Sequence, residues 1–391
     1  MSTVAIWTGV PLSRRLELAG FGAIVGIVAT MQFSIAAAQS LLAIASLCWL
    51  RLHLMRSEPL TAPPYFWPLV TYAAVTLLSA GFSVDPRTSF TDCKQLLLFM
   101  LVPVVYDLAR GERANMLLSI IITVGAASAF IGIVQYGLLD YDTLNKRLQG
   151  TLSHWMTYSG TLMLVICASI ARLVYGKGDR LWAAFVMPAL VASLALTLTR
   201  NTWIGAAAGA GVILLTRDFR LLVALPVVAT VTFIAAPSLV TSRVNSIFDL
   251  NDPTNRDRVA MLQAGRAIVA DHPLTGVGPD NIKRVYPDYR VPGYLEPVQP
   301  HLHNVPMQIA AERGLPALAV WLWAIGALTL GLLRHLRVTS QRTLTAAALG
   351  AVAAMLTAGQ FEYNFGDSEF LMLFLVLVTL PFAADRSGDR P

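Results

Sequence analysis

GLPALAVWLWAIGALTLGLLR, residues 314–334, carries no charged side chain until Arg334 at its end. A helix rises 1.5 Å per residue, so these 21 residues cover about 30 Å, the thickness of a bilayer's hydrocarbon core. Runs of the same kind recur along the chain. Hydrophobic residues fill 55% of the 391 positions and charged residues only 13%, against about 25% charged in soluble domains. The pattern predicts an all-α polytopic membrane protein with about 12 transmembrane helices. Their expected positions are 17–33, 34–52, 64–82, 90–109, 115–137, 156–176, 181–199, 203–217, 219–237, 314–334, 342–360 and 368–385. The first apolar run continues into more of the same, so no cleavable signal peptide is expected. Asp92 and Lys94 open one span, whose first turn should therefore face protein or the interface.

Lys and Arg placement sets the orientation. With the N-terminus in the cytoplasm, Arg14, Arg15, Arg51, Arg56, Arg110, Arg113, Arg172, Lys177, Arg180, Arg217, Arg220, Arg334, Arg337, Arg342, Arg386 and Arg390 fall on the cytoplasmic side. The short loops opposite carry Arg87, Lys94, Lys146, Arg147 and Arg200. Three parts follow: helices over 1–240, a long, partly helical periplasmic loop over 241–313, and helices with a short tail over 314–391. That loop is itself basic, which a long external segment tolerates. The net charge of +6 is dispersed and has no nucleic-acid motif beside it, so no nucleic-acid partner is expected. Three widely spaced cysteines, Cys48, Cys93 and Cys167, suggest neither a disulfide framework nor a metal site.

Within the long loop, residues 257–270 (DRVAMLQAGRAIVA) have helical periodicity, with Val259, Leu262, Ala267 and Val269 among the apolar positions. Pro273 disfavours helix in the residue before it and ends that helix. Thr275 to Pro279 reads as a turn, and Tyr286 to Pro300 as an irregular surface loop. A second helix should start at Asn304, a good N-cap, with Pro306 in its first turn.

Four features of this region can carry chemistry. Arg200 sits at an external membrane boundary, where it either snorkels to headgroups or holds an anion through paired donors. Arg256 and Arg258 open the first loop helix; Asp252, Asp257 and Glu296 are possible salt-bridge partners, and a helix start also favours a bound anion. His303 precedes a helix start, whose amides would keep an imidazole neutral and able to accept a proton. His301 competes for that role, and either histidine could be merely structural. The basic, aromatic loop adds Arg290 and the tyrosines Tyr286, Tyr289 and Tyr294, which stack on sugars or simply pack. No metal is expected, because no Cys or close carboxylate set accompanies the two histidines. No P-loop or dinucleotide fingerprint appears either, and no cofactor is expected.

Three stretches together resemble the O-antigen ligase/polymerase superfamily of bacterial surface-polysaccharide assembly. They are Thr199-Arg200-Asn201-Thr202-Trp203-Ile204-Gly205; Arg258 followed by Ala270-Asp271-His272-Pro273-Leu274-Thr275-Gly276-Val277-Gly278; and His303-Asn304, nine residues, then Gly314. Ala317 departs from the ligase pattern, which has Gly, Thr or Tyr there. The resemblance implies a C-type glycosyltransferase-like membrane fold in the bacterial inner membrane. It also implies a polyprenyl-pyrophosphate-linked glycan donor, a lipid A–core oligosaccharide acceptor, surrounding membrane lipids, and metal-independent inversion at the anomeric centre. By motif match, Arg200 and Arg258 would hold the donor pyrophosphate and His303 would act on the acceptor hydroxyl, with Arg256 a second choice. A polymerase or a protein O-oligosaccharyltransferase would share the donor chemistry. A transporter is the reading from another class, but it is disfavoured by the absence of repeated halves.

Overall fold

The computed structural model describes residues 11–57, 59–137, 147–152, 154–176, 178, 180–235, 238–247, 249, 251–292 and 297–386. Lys146, Tyr294 and Glu296 lie outside them. All regular structure among the described residues is helical. The helices are α1 (Leu12–Thr30), α2 (Ile35–Arg56), α3 (Phe66–Gly81), α4 (Pro86–Leu108, with a 3-10 stretch at Cys93–Met100), α5 (Glu112–Gly137), α6 (Trp155–Tyr175), α7 (Arg180–Leu196) and α8 (Arg200–Arg217). They continue with α9 (Ala224–Ala235), α10 (Ser238–Asn245), α11 (Pro253–Asp271), α12 (Ile282–Val285), α13 (Val305–Val338), α14 (Arg342–Ala358) and α15 (Ser368–Ala384). Each expected span overlaps a helix among the described residues. Five helical runs, α2, α4, α5, α6 and α13, are long and apolar enough to cross a bilayer, and several others are apolar but shorter. Residues 197–199 form a tight turn between α7 and α8, with Leu198 at φ +53°.

α15 is apolar on every side and is buried almost along its whole length, as a helix enclosed by others must be. α6 and α14 pack near it, and α8 packs closely on both. Small residues permit that approach: a Cβ on Gly209 would stand 2.7 Å from the Gly350 carbonyl oxygen.

The long loop builds a second, smaller core from Met261, Ala264, Ile268, Val277, Ile282, Tyr286 and Leu302. The buried face of α11 is Ala260, Met261, Ala264, Gly265 and Ile268, whereas Val259, among the expected apolar positions, is exposed. At Gly265 the chain at the start of α13 comes too close to admit any side chain. A Cβ on Gly265 would already meet Met307 Cγ at 2.7 Å and Leu302 Cδ1 at 2.9 Å.

The Thr275–Pro279 segment is more than a turn. The Val277 and Gly278 N–H groups donate to the Ala311 and Glu312 carbonyls at 2.9 and 2.8 Å, and Leu315 N–H donates to Pro273 O at 2.8 Å. This backbone clasp fastens the loop to α13 where that helix breaks, at Gly314 (φ +81°, ψ 168°). A side chain there would stand 2.1 Å from Leu274 O, so glycine is required both for the positive φ and for the approach. The nine residues between Asn304 and Gly314 are therefore one short helix, set off from the apolar run that follows. Asp92 faces protein, as expected: its carboxylate lies 3.4 Å from Arg313.

Candidate active site

His303 lies just before the N-cap of α13. The cap forms because Asn304 Oδ1 accepts from Met307 N–H at 2.9 Å. The same asparagine donates through Nδ2 to Gln360 O at 3.0 Å, and Val305 N–H donates to Gly359 O at 2.7 Å. The start of α13 is thus bound to the loop after α14. His303 itself is held at φ +48°, a left-handed conformation uncommon for a residue with a side chain and concentrated at functional sites.

That junction brings up a partner no local pattern announces. His303 Nδ1 stands 2.8 Å from Glu362 Oε2, and His301 Nε2 lies 3.6 Å from Glu362 Oε1. The two imidazoles meet edge to face, with centroids 4.2 Å apart. Burial pushes the Glu362 carboxyl up, but the charge and hydrogen bond of His303, with help from His301 and the Tyr363 N–H, hold it down to about 2. With its pKa lowered, the stability it adds is present above its ordinary 4.5 and is lost as pH falls toward about 2. Burial lowers the His301 pKa, with Glu362 opposing. The expectation that no carboxylate accompanies the histidines is corrected here, because Glu362 reaches them across 59 positions of sequence. His301, His303 and Glu362 each offer one donor atom, all within 4.8 Å of one another. That set of two imidazoles and a carboxylate could hold a divalent cation.

Cationic residues gather beside this cluster. Arg258 is half-buried and makes no hydrogen bond or ion pair with another described residue. Burial lowers its pKa, Glu362 opposes this, and Arg200 adds to the lowering. Arg147 lies over the Trp155 ring at 5.2 Å and is close enough to Arg200 and Arg243 to be perturbed by both. Arg256, one turn-phase away on α11, is exposed.

Arg200 has a different set of contacts from a side chain left open to a ligand. Its guanidinium donates to Ser246 O at 2.7 Å, Ser246 Oγ at 2.9 Å, Asp252 Oδ1 at 3.0 Å and Asn255 Oδ1 at 3.2 Å. Asp252 is in turn the N-cap of α11, accepting from Thr254 and Asn255 N–H. Arg200 thereby fixes the first turn of the helix that carries Arg258. Arg200→Lys keeps the charge but cannot fork. We expect it to cost about 1–3 kcal/mol, as loss of hydrogen bonds to a buried charged group does, read as a lower thermal unfolding midpoint.

The remaining candidates lie elsewhere. Tyr286 is fully buried in the loop's own core, so its ring is not offered to a sugar. Tyr289 donates to Asp271 Oδ2 at 2.8 Å. Arg290 is exposed and donates through Nε to Pro287 O at 2.9 Å.

The family model described as O-antigen ligase matches residues 182–322. The match supports assignment of the chain to the O-antigen ligase family. No curated protein matches the chain. The matched segment contains Arg200, Arg258 and His303 but ends before Glu362, and it begins after Arg147. The family region thus receives its carboxylate and one of its cations from outside. Ala317, the departure from the ligase pattern, is fully buried in the helix core of α13. Sequence reasoning missed Glu362 and Arg147; the only available sign was a charged residue in a short loop on the same side as Arg200.

Proposed function

We propose that this member of the O-antigen ligase family transfers a glycan from polyprenyl pyrophosphate to lipid A–core oligosaccharide, at the periplasmic face of the bacterial inner membrane. The observation that carries the proposal is His303 bonded to the ionised Glu362 with Arg258 nearby. In this reading all twelve expected helices span the bilayer, and the loop over 241–313 faces the periplasm.

The chemistry follows from the parts. ATP is absent outside the inner membrane, so the energy must arrive in the donor's sugar–pyrophosphate bond. Glu362 accepts from Nδ1–H of His303, which leaves Nε2 as the proton acceptor. The acceptor hydroxyl gives its proton to Nε2 while its oxygen bonds to the anomeric carbon. The bond from that carbon to the pyrophosphate oxygen breaks, and its electron pair leaves with the pyrophosphate. Attack from the opposite side inverts the centre. Arg258, with Arg147, supplies positive charge where negative charge develops.

Glu362→Gln tests the pairing. The rate should fall by less than the ~10²–10⁴ that loss of a general base costs. A rate loss matched by an equal loss of folded protein, read as a lower thermal unfolding midpoint, would leave Glu362 a purely structural role.

The decisive assay combines lipid-linked glycan with purified lipid A–core, with and without EDTA. Glycan on lipid A–core supports the ligase. Extension of the donor instead would make the chain a polymerase. Activity lost in EDTA and restored by Zn²⁺ would make the His301–His303–Glu362 set a metal site and not a proton acceptor.

A further inference from the structure

Two imidazoles and a carboxylate converge where the loop after α14 meets the start of α13. His303 Nδ1 stands 2.8 Å from Glu362 Oε2, and His301 Nε2 stands 3.6 Å from Glu362 Oε1. With one donor atom taken from each residue, all three atoms lie within 4.8 Å of one another. Neighbouring ligands of a tetrahedral zinc ion, with bonds of about 2.0–2.1 Å, stand about 3.3 Å apart. Closing 4.8 Å to that spacing takes side-chain movement of about 1.5 Å. The two rings are reachable: the His301 and His303 side chains keep 29% and 16% of their surface exposed. A cavity of about 320 Å³ lined by His301 and Glu362 opens beside them, with room for an entering ion and for water as its fourth ligand.

The donor set selects the ion. Two nitrogens and one carboxylate oxygen suit zinc, whereas magnesium and calcium take oxygen ligands. His154 lines the same cavity, but its Nδ1 accepts from Met156 N–H at 3.2 Å. In its neutral form that ring therefore carries its hydrogen on Nε2, and it is not a fourth ligand.

We propose that His301, His303 and Glu362 form an inhibitory zinc site. Binding draws only on the donor atoms; its effect on rate rests on the glycosyl-transfer reading above. A neutral imidazole carries one N–H. In that reading the hydrogen is on Nδ1 of His303, held by Glu362, and the Nε2 lone pair takes the acceptor's proton. Zinc takes the Nδ1 lone pair, so the hydrogen moves through solvent to Nε2, and the ring releases no net proton. The atom that had to accept a proton then holds one, and Glu362 turns from the ring to the metal. The ion removes the base and leaves the arginines assigned to the pyrophosphate untouched.

Zn²⁺ and Co²⁺ test the proposal on the intact chain, stripped with EDTA and returned to chelator-free buffer. Cobalt should give the visible absorption bands of a low-coordinate site, and zinc should bleach them. Zinc should also raise the thermal unfolding midpoint, since an ion bound by the folded state stabilises it. Zinc should lower kcat for glycan transfer by about 10²–10⁴, as loss of the base does. EDTA should restore the rate, and Mg²⁺ should leave it unchanged. His301→Gln removes one ligand. Measured against its own metal-free rate, it should need more than the about 10–100-fold extra zinc that loss of even an outer-shell partner costs. His154→Asn retains a good N-cap and should respond to zinc as the wild type does. Equal inhibition of the wild type and His301→Gln would place the ion elsewhere, such as on the donor's pyrophosphate, and overturn the proposal. So would stimulation by zinc, the absence of cobalt bands, or an unmoved midpoint at millimolar zinc. Should His301→Gln fail to fold, Glu362→Gln takes its place, and cobalt bands unchanged from the wild type would overturn the proposal. If no acceptor is glycosylated, the transfer reading fails, while the bands and the midpoint still decide the site.

Discussion

His303→Ala should lower kcat for glycan transfer by about 10²–10⁴ while leaving donor binding intact. The size follows from what the imidazole does. A sugar hydroxyl is a poor nucleophile until its proton leaves, and in the proposed mechanism His303 is the side chain that takes it. Its Nδ1 is committed to Glu362 at 2.8 Å, so the other ring nitrogen is free for the acceptor. The backbone at φ +48° and the Asn304 cap hold the ring where it is. The donor's pyrophosphate is assigned to arginines, so binding of lipid-linked glycan should survive the loss of the ring. Single-turnover transfer and direct donor binding, measured on the same preparation, check both halves. Unchanged transfer would remove His303 as the base and shift attention to His301, which touches the same carboxylate.

Arg258→Ala should cost about 10²–10³ in kcat, the range for removing one preorganised charge at a developing anion. Arg258 is suited to this because its cation is half-buried and makes no ion pair with another described residue. A charge removed from bulk water acts more strongly than an exposed one. Arg258→Lys should recover part of the loss, since the charge returns without the paired donors. Arg256→Ala should stay near wild type, because that side chain points to solvent. Equal losses at 256 and 258 would show that the donor approaches along the outer face of α11.

Arg200 stands between the two readings made from its sequence position. It neither snorkels freely nor lies open; its fork closes on Ser246, Asp252 and Asn255. Its effect on the site therefore runs through α11, which its contacts hold at the first turn. A defect in Arg200→Lys should appear in stability as well as in rate, and that separates it from a loss at Arg258.

What the sequence determined by itself is the part governed by local pattern. Apolar runs set the helices, because a helix 20 residues long must satisfy its own backbone groups in lipid. Asn304 and Gly314 set the ends of the short helix after His303, since capping and positive φ depend on the residue in place. Even the match to the O-antigen ligase family rests on such contiguous stretches. What only the tertiary structure decided is everything joined across the chain. Glu362 meets His303 because the loop after α14 is hydrogen-bonded to the start of α13. Tyr286 is buried because the loop has a core of its own. The inward face of α11 admits only a glycine at position 265, because Leu302 and Met307 press against it. Periodicity reports that a helix has faces; close packing decides which residues the neighbouring helix will admit.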